Sequence, residues 1–378
     1  MSERRSFRTI AGRPRRRTPD FLLFFATTAL VAIGLVMVYS SSSVKAEFTY
    51  GRSAYFLQQQ LIWALLGMGA MAAMMNFDYW RLSSLAWPVL VVTFLSLVVV
   101  IIPGLGVISH GASRRIGIGN LGFQPSEAAK LGIVLFMAYI LSRDPERIKS
   151  FWRGLMPNLL LLGLAFGLIL KQPDLGTAVS LAGTVVTMIF IAGAQMKHLV
   201  GLALSAVPIL AWAIFSAPYR RERFFAFLDP WKDPLDSGFH IIQALYALGS
   251  GGLLGLGLGQ SRQKFFYLPE QHTDFIFAVL GEELGFLGAA TTLLLFFLLF
   301  WRGYRIAVTA PDTFSSLLAA GVTTMIAIQA LINVGVVTST LPITGIPLPF
   351  LSYGGSSLLF SLASVGILLN ISMYTKGA

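Results

Sequence analysis

The sequence has no cysteine, few histidines and few charges, and each shortage removes a class of function. Without cysteine there is no disulfide framework, no thiol nucleophile and no thiolate-bound metal. The four histidines, His110, His198, His240 and His272, stand apart without ligand spacing, which argues against a structural zinc site. No G-x-S-x-G elbow is present, so a serine-triad hydrolase has no support. The glycines of 249–259 (GSGGLLGLGLG) do not follow G-x-G-x-x-G and no strand-like run precedes them, so a dinucleotide site fits poorly. The net charge of +11 comes without an Arg-rich face interleaved with aromatics, and no nucleic-acid partner is expected. The two halves show no repeat, which weighs against an inverted-repeat transporter. Charged residues are only 12% of the 378, against roughly a quarter in a soluble domain.

Apolar length is what the chain has in abundance. Hydrophobic residues make up 55% of it, the mean hydropathy is +0.73, and runs near the ~20 residues needed to span a bilayer recur throughout. The expected fold is an all-α polytopic membrane protein of ten transmembrane helices, at about 21–40, 56–75, 84–102, 125–142, 154–171, 176–194, 198–215, 274–300, 315–337 and 354–373. Residues 1–20, with seven arginines and with Pro14 and Pro19, read as a disordered basic tail, and 21–378 as a single membrane domain. Lys and Arg on alternating sides set the orientation. One side holds the tail, Arg81, Arg143, Arg147, Lys149, Arg153, Lys197, Arg302, Arg305 and Lys376; the short loops of the other hold only Lys45, Arg52, Arg114, Arg115 and Lys171. Both termini are therefore expected in the cytoplasm of a bacterial cell, and the long 216–273 connection outside. Within that connection Asp236-Ser237 is placed to cap a short apolar helix, 238–248, and 249–259 suits close backbone packing or a re-entrant segment.

Chemistry concentrates in Lys264–Gly288, KFFYLPEQHTDFIFAVLGEELGFLG, where ionisable residues run straight into a span. His272-Thr273-Asp274 stands at its threshold, and two readings of Asp274 are open: Thr273 or Asp274 caps the helix, or Asp274 is a reactive carboxylate. Other charges at membrane depth or its outer edge are Glu127, Lys130, Lys171, Asp174, Glu282 and Glu283, each expected to face the bundle interior with a partner. Glu127 and Lys130 lie at i and i+3 and either satisfy each other or leave Lys130 to reach across to Asp274. Lys171 and Asp174 flank a Pro-Gly turn, QPDLGTA. In TSTLPITGIPLPFLSYGGSS, 338–357, a rigid outer loop offers Ser352, Tyr353, Ser356 and Ser357 as hydrogen-bonding groups. Arg114, Arg115, Arg220, Arg221 and Arg223 are outward cations suited to phosphates, or else solvated loop charge. The 216–273 loop, too long and too aromatic for a passive tether, is expected to roof a groove leading to Asp274.

Taken in order, SRRIGIGNLGFQPSEAAK, QPDLGTA, DPWKDPLDSGFHIIQALYALGSGGLLGLGLGQSRQKFF, YLPEQHTDFIFAVLGEELGFLG and LPFLSYGGSS resemble the SEDS family of FtsW, RodA and SpoVE, over nearly the whole chain from about Asp20. The long loop is most similar to the SpoVE and FtsW branch. The resemblance implies a peptidoglycan glycosyltransferase in the bacterial cytoplasmic membrane, polymerising lipid II onto a nascent glycan strand during division or sporulation, beside a class B penicillin-binding protein. It also implies Asp274 as the catalytic residue; the residues read by themselves add Lys130 and Glu127 as supporting charges and the outer Arg, Lys171, Asp174, His272, Ser352, Tyr353 and Ser356 as candidates for substrate contacts. Mg²⁺ or Mn²⁺ is expected to bridge phosphates, and no organic cofactor is expected. Members commonly carry Trp-Ile-Gly after the Ser-Arg pair, whereas Arg115 is followed here by Ile116-Gly117, which leaves the shape of 104–124 open. A lipid II flippase or a non-catalytic scaffold of the cell-wall machinery would use the same helices without bond formation.

Overall fold

The structure, a computed structural model, describes residues 16–102, 107–109, 112–118, 121–265 and 267–375. Twelve helices run through them: α1 (Phe21–Tyr50), α2 (Tyr55–Asn76), α3 (Tyr79–Val99), α4 (Pro125–Arg143), α5 (Met156–Lys171), α6 (Leu175–Ile191), α7 (Met196–Phe215), α8 (Pro218–Leu228), α9 (Phe239–Ser250), α10 (Ile276–Thr309), α11 (Thr313–Val337) and α12 (Gly355–Ser372). Eight are long and apolar enough to cross a membrane. Of the other two expected spans, α6 is a shorter apolar helix of 17 residues, and α2 runs 22 residues without a charge.

Three differences from the sequence reading have physical causes. The chain is not purely helical: β1 (Val107–Ser109), β2 (Ala112–Ile118) and β3 (Leu121–Phe123) form an antiparallel sheet in the order β1-β2-β3, pairing Ile108 with Ser113 and Gly117 with Gly122. Helix α1 continues ten residues beyond the apolar run, because Ser41 and Ser42 donate to the carbonyls of Met37 and Val38 four residues back, at 2.7 and 2.6 Å, and so satisfy their hydroxyls inside the helix. Asp236 and Ser237 cap nothing: α9 begins after Gly238, and Ser237 instead bonds the Asp233 carboxylate.

Helices α4, α11 and α12 are the buried centre, whereas α7 exposes almost all of its apolar surface to the surroundings. The expected disordered tail falls mostly outside the described residues, as do His110 and Lys376, but its last residues are docked. Arg16 pairs with Asp78 at 2.9 Å and donates to the Tyr374 hydroxyl at 2.8 Å, and the Arg17 amide donates to the Met373 carbonyl. Asp20 caps α1 through the Leu23 amide and takes a two-pronged guanidinium from Arg302, at 2.5 and 2.7 Å. One end of the bundle is thus stapled where residues 16–20 meet 372–375. Asp274 lies at the other.

Candidate active site

Helix α10 is two helices joined at a break. Gly285 has φ 66° and ψ −166°, which only glycine adopts without strain, and the amides and carbonyls released there are taken up by the glycine-rich segment. Phe286 and Leu287 donate to the carbonyls of Gly252 and Leu253, while Leu256 and Gly257 donate to those of Glu282 and Glu283. A side chain at Gly255 (φ 81°) would drive its Cβ to 2.2 Å from the Glu283 carbonyl oxygen, so the backbones touch only because that position has no side chain. The expected close packing or re-entrant path of 249–259 takes this form, irregular backbone tolerated because it is buried in protein.

Glu282 and Glu283 are fully buried and, as expected, face inward, but their partners are neutral. Ser40 donates to both oxygens of Glu283 at 2.7 Å and the Ser261 amide adds a third bond; the Ser261 hydroxyl and the Arg262 amide, the latter at 2.9 Å, serve Glu282. Charge-assisted bonds of this kind offset part of the cost of burying a carboxylate. Together they latch the segment that leads to Asp274.

Neither Thr273 nor Asp274 caps α10. The cap position is Phe275, without a side-chain bond, and Thr273 donates to Glu270 instead. Asp274 is pinned through its neighbours' backbone. Ser352 donates to the Thr273 carbonyl at 2.5 Å, the Tyr353 amide to the His272 carbonyl at 2.9 Å, and Asn333 to the Asp274 carbonyl at 2.8 Å. At roughly 1 kcal/mol net each, these bonds fix the strand on which the carboxylate is carried. The carboxylate itself accepts no hydrogen bond and joins no ion pair among the described residues. Gly345 lies against it: at φ 74°, an added Cβ would sit 3.5 Å from Oδ2, so the glycine leaves room beside the acid. Burial pushes the Asp274 pKa up to about 7, with Glu270 and Asp174 adding to the rise and Arg223 and Arg114 opposing it.

Lys130 does not reach Asp274. Its ammonium is 2.9 Å from Glu127 and 2.6 Å from the Gln329 side-chain oxygen, and all three residues are buried, so the self-satisfied pair is the arrangement adopted. A cation already matched by a buried carboxylate has little to gain from a second one farther away. The network runs on through Gln329, which donates to the Pro347 carbonyl, to the loop that carries Gly345.

Of the candidate phosphate cations, Arg114 and Arg223 act electrostatically on Asp274. Arg114 is also braced by the carbonyls of Gln172 and Pro173. Arg115 is exposed on β2 and acts on the Tyr353 phenol, Arg220 is spent on the Ala213 carbonyl and the Tyr219 hydroxyl, and Arg221 and Lys171 point outward. Asp174 caps α6 through the Thr177 amide at 3.0 Å and hydroxyl at 2.9 Å. Ser352 and Ser356 are scaffold: besides Thr273, Ser352 takes the Leu348 amide, and Ser356 ties β3 to α12 through the Gln124 amide and the Gly122 carbonyl. His272 is buried between Phe56 and Tyr353, and burial lowers its pKa to about 4, with Lys45 adding to the fall. Helix α9 closes over the site from the long loop, where His240 stacks on Phe275 at 5.9 Å. No group of three or more His, Cys, Asp or Glu gathers to hold a metal among the described residues.

The sequence reading missed Asn333, Gln329, Ser261, Ser40 and Gln60, the last of which clamps 352–354 through the Ser352 carbonyl and the Gly354 amide. Each is a neutral polar residue beside or within an apolar span, and such residues bond across helices. Asking where those amides and hydroxyls find partners was the available signal.

Fold and site define a polytopic membrane protein with one raised, unpartnered carboxylate held under a structured loop at one end of its bundle. The FtsW/RodA/SpoVE family model, described as "Cell cycle protein", matches residues 21–377, and the chain belongs to that family. Stage V sporulation protein E of Bacillus subtilis (strain 168) is 51% identical over 362 residues, covering 96% of this chain and 99% of the relative. The probable peptidoglycan glycosyltransferase FtsW of Geobacter sp. (strain M18) is 44% identical over 359 residues, covering 95% and 98%. Among solved structures, a chain from a peptidoglycan synthase complex superposes with a TM-score of 0.78 at 34% identity, covering 94% of this chain and 97% of its own. The rod shape determining protein RodA of Thermus thermophilus superposes with a TM-score of 0.69 at 30% identity, covering 94% and 96%.

Proposed function

We propose that this chain is a peptidoglycan glycosyltransferase that polymerises lipid II on the outer face of the bacterial cytoplasmic membrane, with Asp274 as general base. The observation that carries the reading is the Asp274 carboxylate: fixed by its backbone, free of internal partners, raised to about 7, and faced by Arg114 and Arg223. A base whose pKa lies near the working pH is suited to taking a proton from a hydroxyl in the transition state. Asp274 removes the proton of the acceptor sugar's 4-hydroxyl as that oxygen attacks the anomeric carbon of the donor, inverting it. The bond to pyrophosphate breaks, and because pyrophosphate leaves as a stabilised anion no separate acid is needed, unlike in glycoside hydrolysis. Arg114 and Arg223 stabilise the departing charge. Two carboxylates that act on one another, Asp274 and Glu270, suit a Mg²⁺ or Mn²⁺ that arrives with the phosphates, which would supply further neutralisation there.

The surrounding reading has the ten helices α1–α7 and α10–α12 spanning the membrane, both termini in the cytoplasm, α8 and α9 outside, and a class B penicillin-binding protein as partner. The Lys and Arg bias between the two bundle ends and the family's synthase-complex neighbour support it. The deciding experiment incubates the purified chain, with and without that partner, with lipid II and Mg²⁺ and resolves glycan polymer on a gel. Polymer from the wild type and none from Asp274→Asn is the expected result. Labelled lipid II moved across a vesicle membrane without polymer formation would overturn it in favour of a flippase.

A further inference from the structure

A cavity of about 260 Å³ lies at the stapled end, far from Asp274 along α4, between the end of that helix and the start of α5. Arg143, Arg147 and Arg153 line it together with Asp144, Asn158 and a rim of Ile140, Ile148 and Pro157. The neighbouring cation is neutralised, since Lys149 is 2.7 Å from Glu146, but none of the three arginines forms an ion pair among the described residues. Two are held in place: Arg147 donates from Nε to the Arg153 carbonyl at 2.6 Å, and the Arg143 guanidinium stands 5.3 Å from the centre of the Tyr139 ring. Arg153 itself lies in a π turn, Phe151–Leu155, that opens the span continuing as α5, so the positive end of a long helix faces the same cavity. The bias of Lys and Arg toward one side of a membrane explains charge here, not the convergence of three arginines on one cavity whose lining carboxylate, Asp144, accepts the Arg147 amide and pairs with none of their guanidinium groups.

The surroundings fix the depth. Trp152 is 73% exposed, an amphipathic ring of the kind that settles at the headgroup level, and Phe151 packs edge-on against it. Below them on the face of Pro157, at helical spacing, Leu160 and Leu164 are exposed to the apolar layer. We propose that this cavity is a binding site for an anionic phospholipid, its phosphate held by Arg143, Arg147 and Arg153 and one acyl chain lying along Leu160 and Leu164. Guanidinium forks match phosphate oxygens, and an apolar wall directly beneath them selects a phosphate that carries a chain.

The test uses the full chain in nanodiscs of phosphatidylcholine with phosphatidylglycerol, followed by detergent extraction and native mass spectrometry of the lipid that remains bound. The wild type is expected to retain phosphatidylglycerol over phosphatidylcholine, and Arg143→Gln/Arg147→Gln/Arg153→Gln to lose at least about tenfold of that preference, roughly 1.4 kcal/mol. The single Arg81→Gln, an exposed arginine of the same end, is expected to keep it, and equal thermal unfolding of all three proteins shows that folding is intact. Equal retention of both lipids by the wild type, or undiminished preference in the triple variant, overturns the proposal. Displacement of the retained lipid by millimolar inorganic phosphate would make this a free-phosphate site, and displacement by equimolar undecaprenyl pyrophosphate a site for diphosphate lipids; either also overturns it.

Discussion

At the end of the bundle where residues 16–20 meet 372–375, Arg16 joins Asp78 and Tyr374, Asp20 joins Arg302, and Asn370 bridges the end of α2 to the start of α3 through the Met75 carbonyl and the Tyr79 amide. At the opposite end Asp274 has no hydrogen-bond or ion-pair partner among the described residues, and five buried polar atoms, on Gln172, Gln263, Gln271, His272 and Asn333, also carry no hydrogen bond within the protein. Where residues 16–20 meet 372–375 the chain spends its polar groups on itself, and around Asp274 it holds them for something else. Buried polar groups left unpaired lower stability, so they persist where a ligand or function supplies the return.

The strongest way to break this contrast is Asp274→Asn. Loss of a general base should lower polymerisation by about 10²- to 10⁴-fold with expression and partner binding intact, and a residual rate above about a tenth of wild type would sink the role. The substitution should also alter stability in a defined sense. A carboxyl whose pKa rises on folding, here from 3.8 to about 7, favours the folded state while protonated, so wild-type stability should fall as pH climbs through that window. Asp274→Asn should flatten that slope in thermal melts and be the more stable protein above pH 7. Polymerisation by the wild type should rise with a midpoint near pH 7, where the folded protein's base deprotonates.

The stapled end should respond the other way. Arg302→Met leaves Asp20 buried without its cation and should cost about 3 kcal/mol of stability, read as a lowered melting temperature, while the pH midpoint of activity stays near 7. A shifted midpoint would show that the two ends are coupled. Next in size is Asn333→Leu, which removes the clamp on the Asp274 and Ile346 carbonyls and should lower kcat on the order of tenfold with a smaller change in KM, measured on purified protein. The smallest effect is expected in the pH profile of Arg223→Gln. Arg223 holds the Asp274 pKa down, so beyond a pH-independent loss of leaving-group stabilisation its removal should move the activity midpoint upward, adding about twofold near pH 6.5 and little near pH 8.5.

Much of the architecture was legible because a bilayer is a severe solvent. A stretch without charge that is long enough to cross must be helical, so most helices fall within a few residues of the expected spans, and intramembrane charges must turn inward, as Glu127, Lys130, Glu282 and Glu283 do. Asp274 stood out for the same reason, an acid placed where acids are costly. What the sequence could not decide was which partner each polar group takes. Lys130 had two carboxylates within plausible reach along the helices, and only the packing of α4 against α11 brought Gln329 to it and kept it with Glu127. Likewise the break at Gly285 and the three bonds that pin 272–274 depend on groups elsewhere in the chain, backbone and side chain, up to about eighty residues away in sequence. Hydropathy is a property of each segment by itself and is written along the chain; hydrogen bonds and ion pairs are properties of pairs, short in range and set by angles, and only the assembled tertiary structure determines which pairs meet.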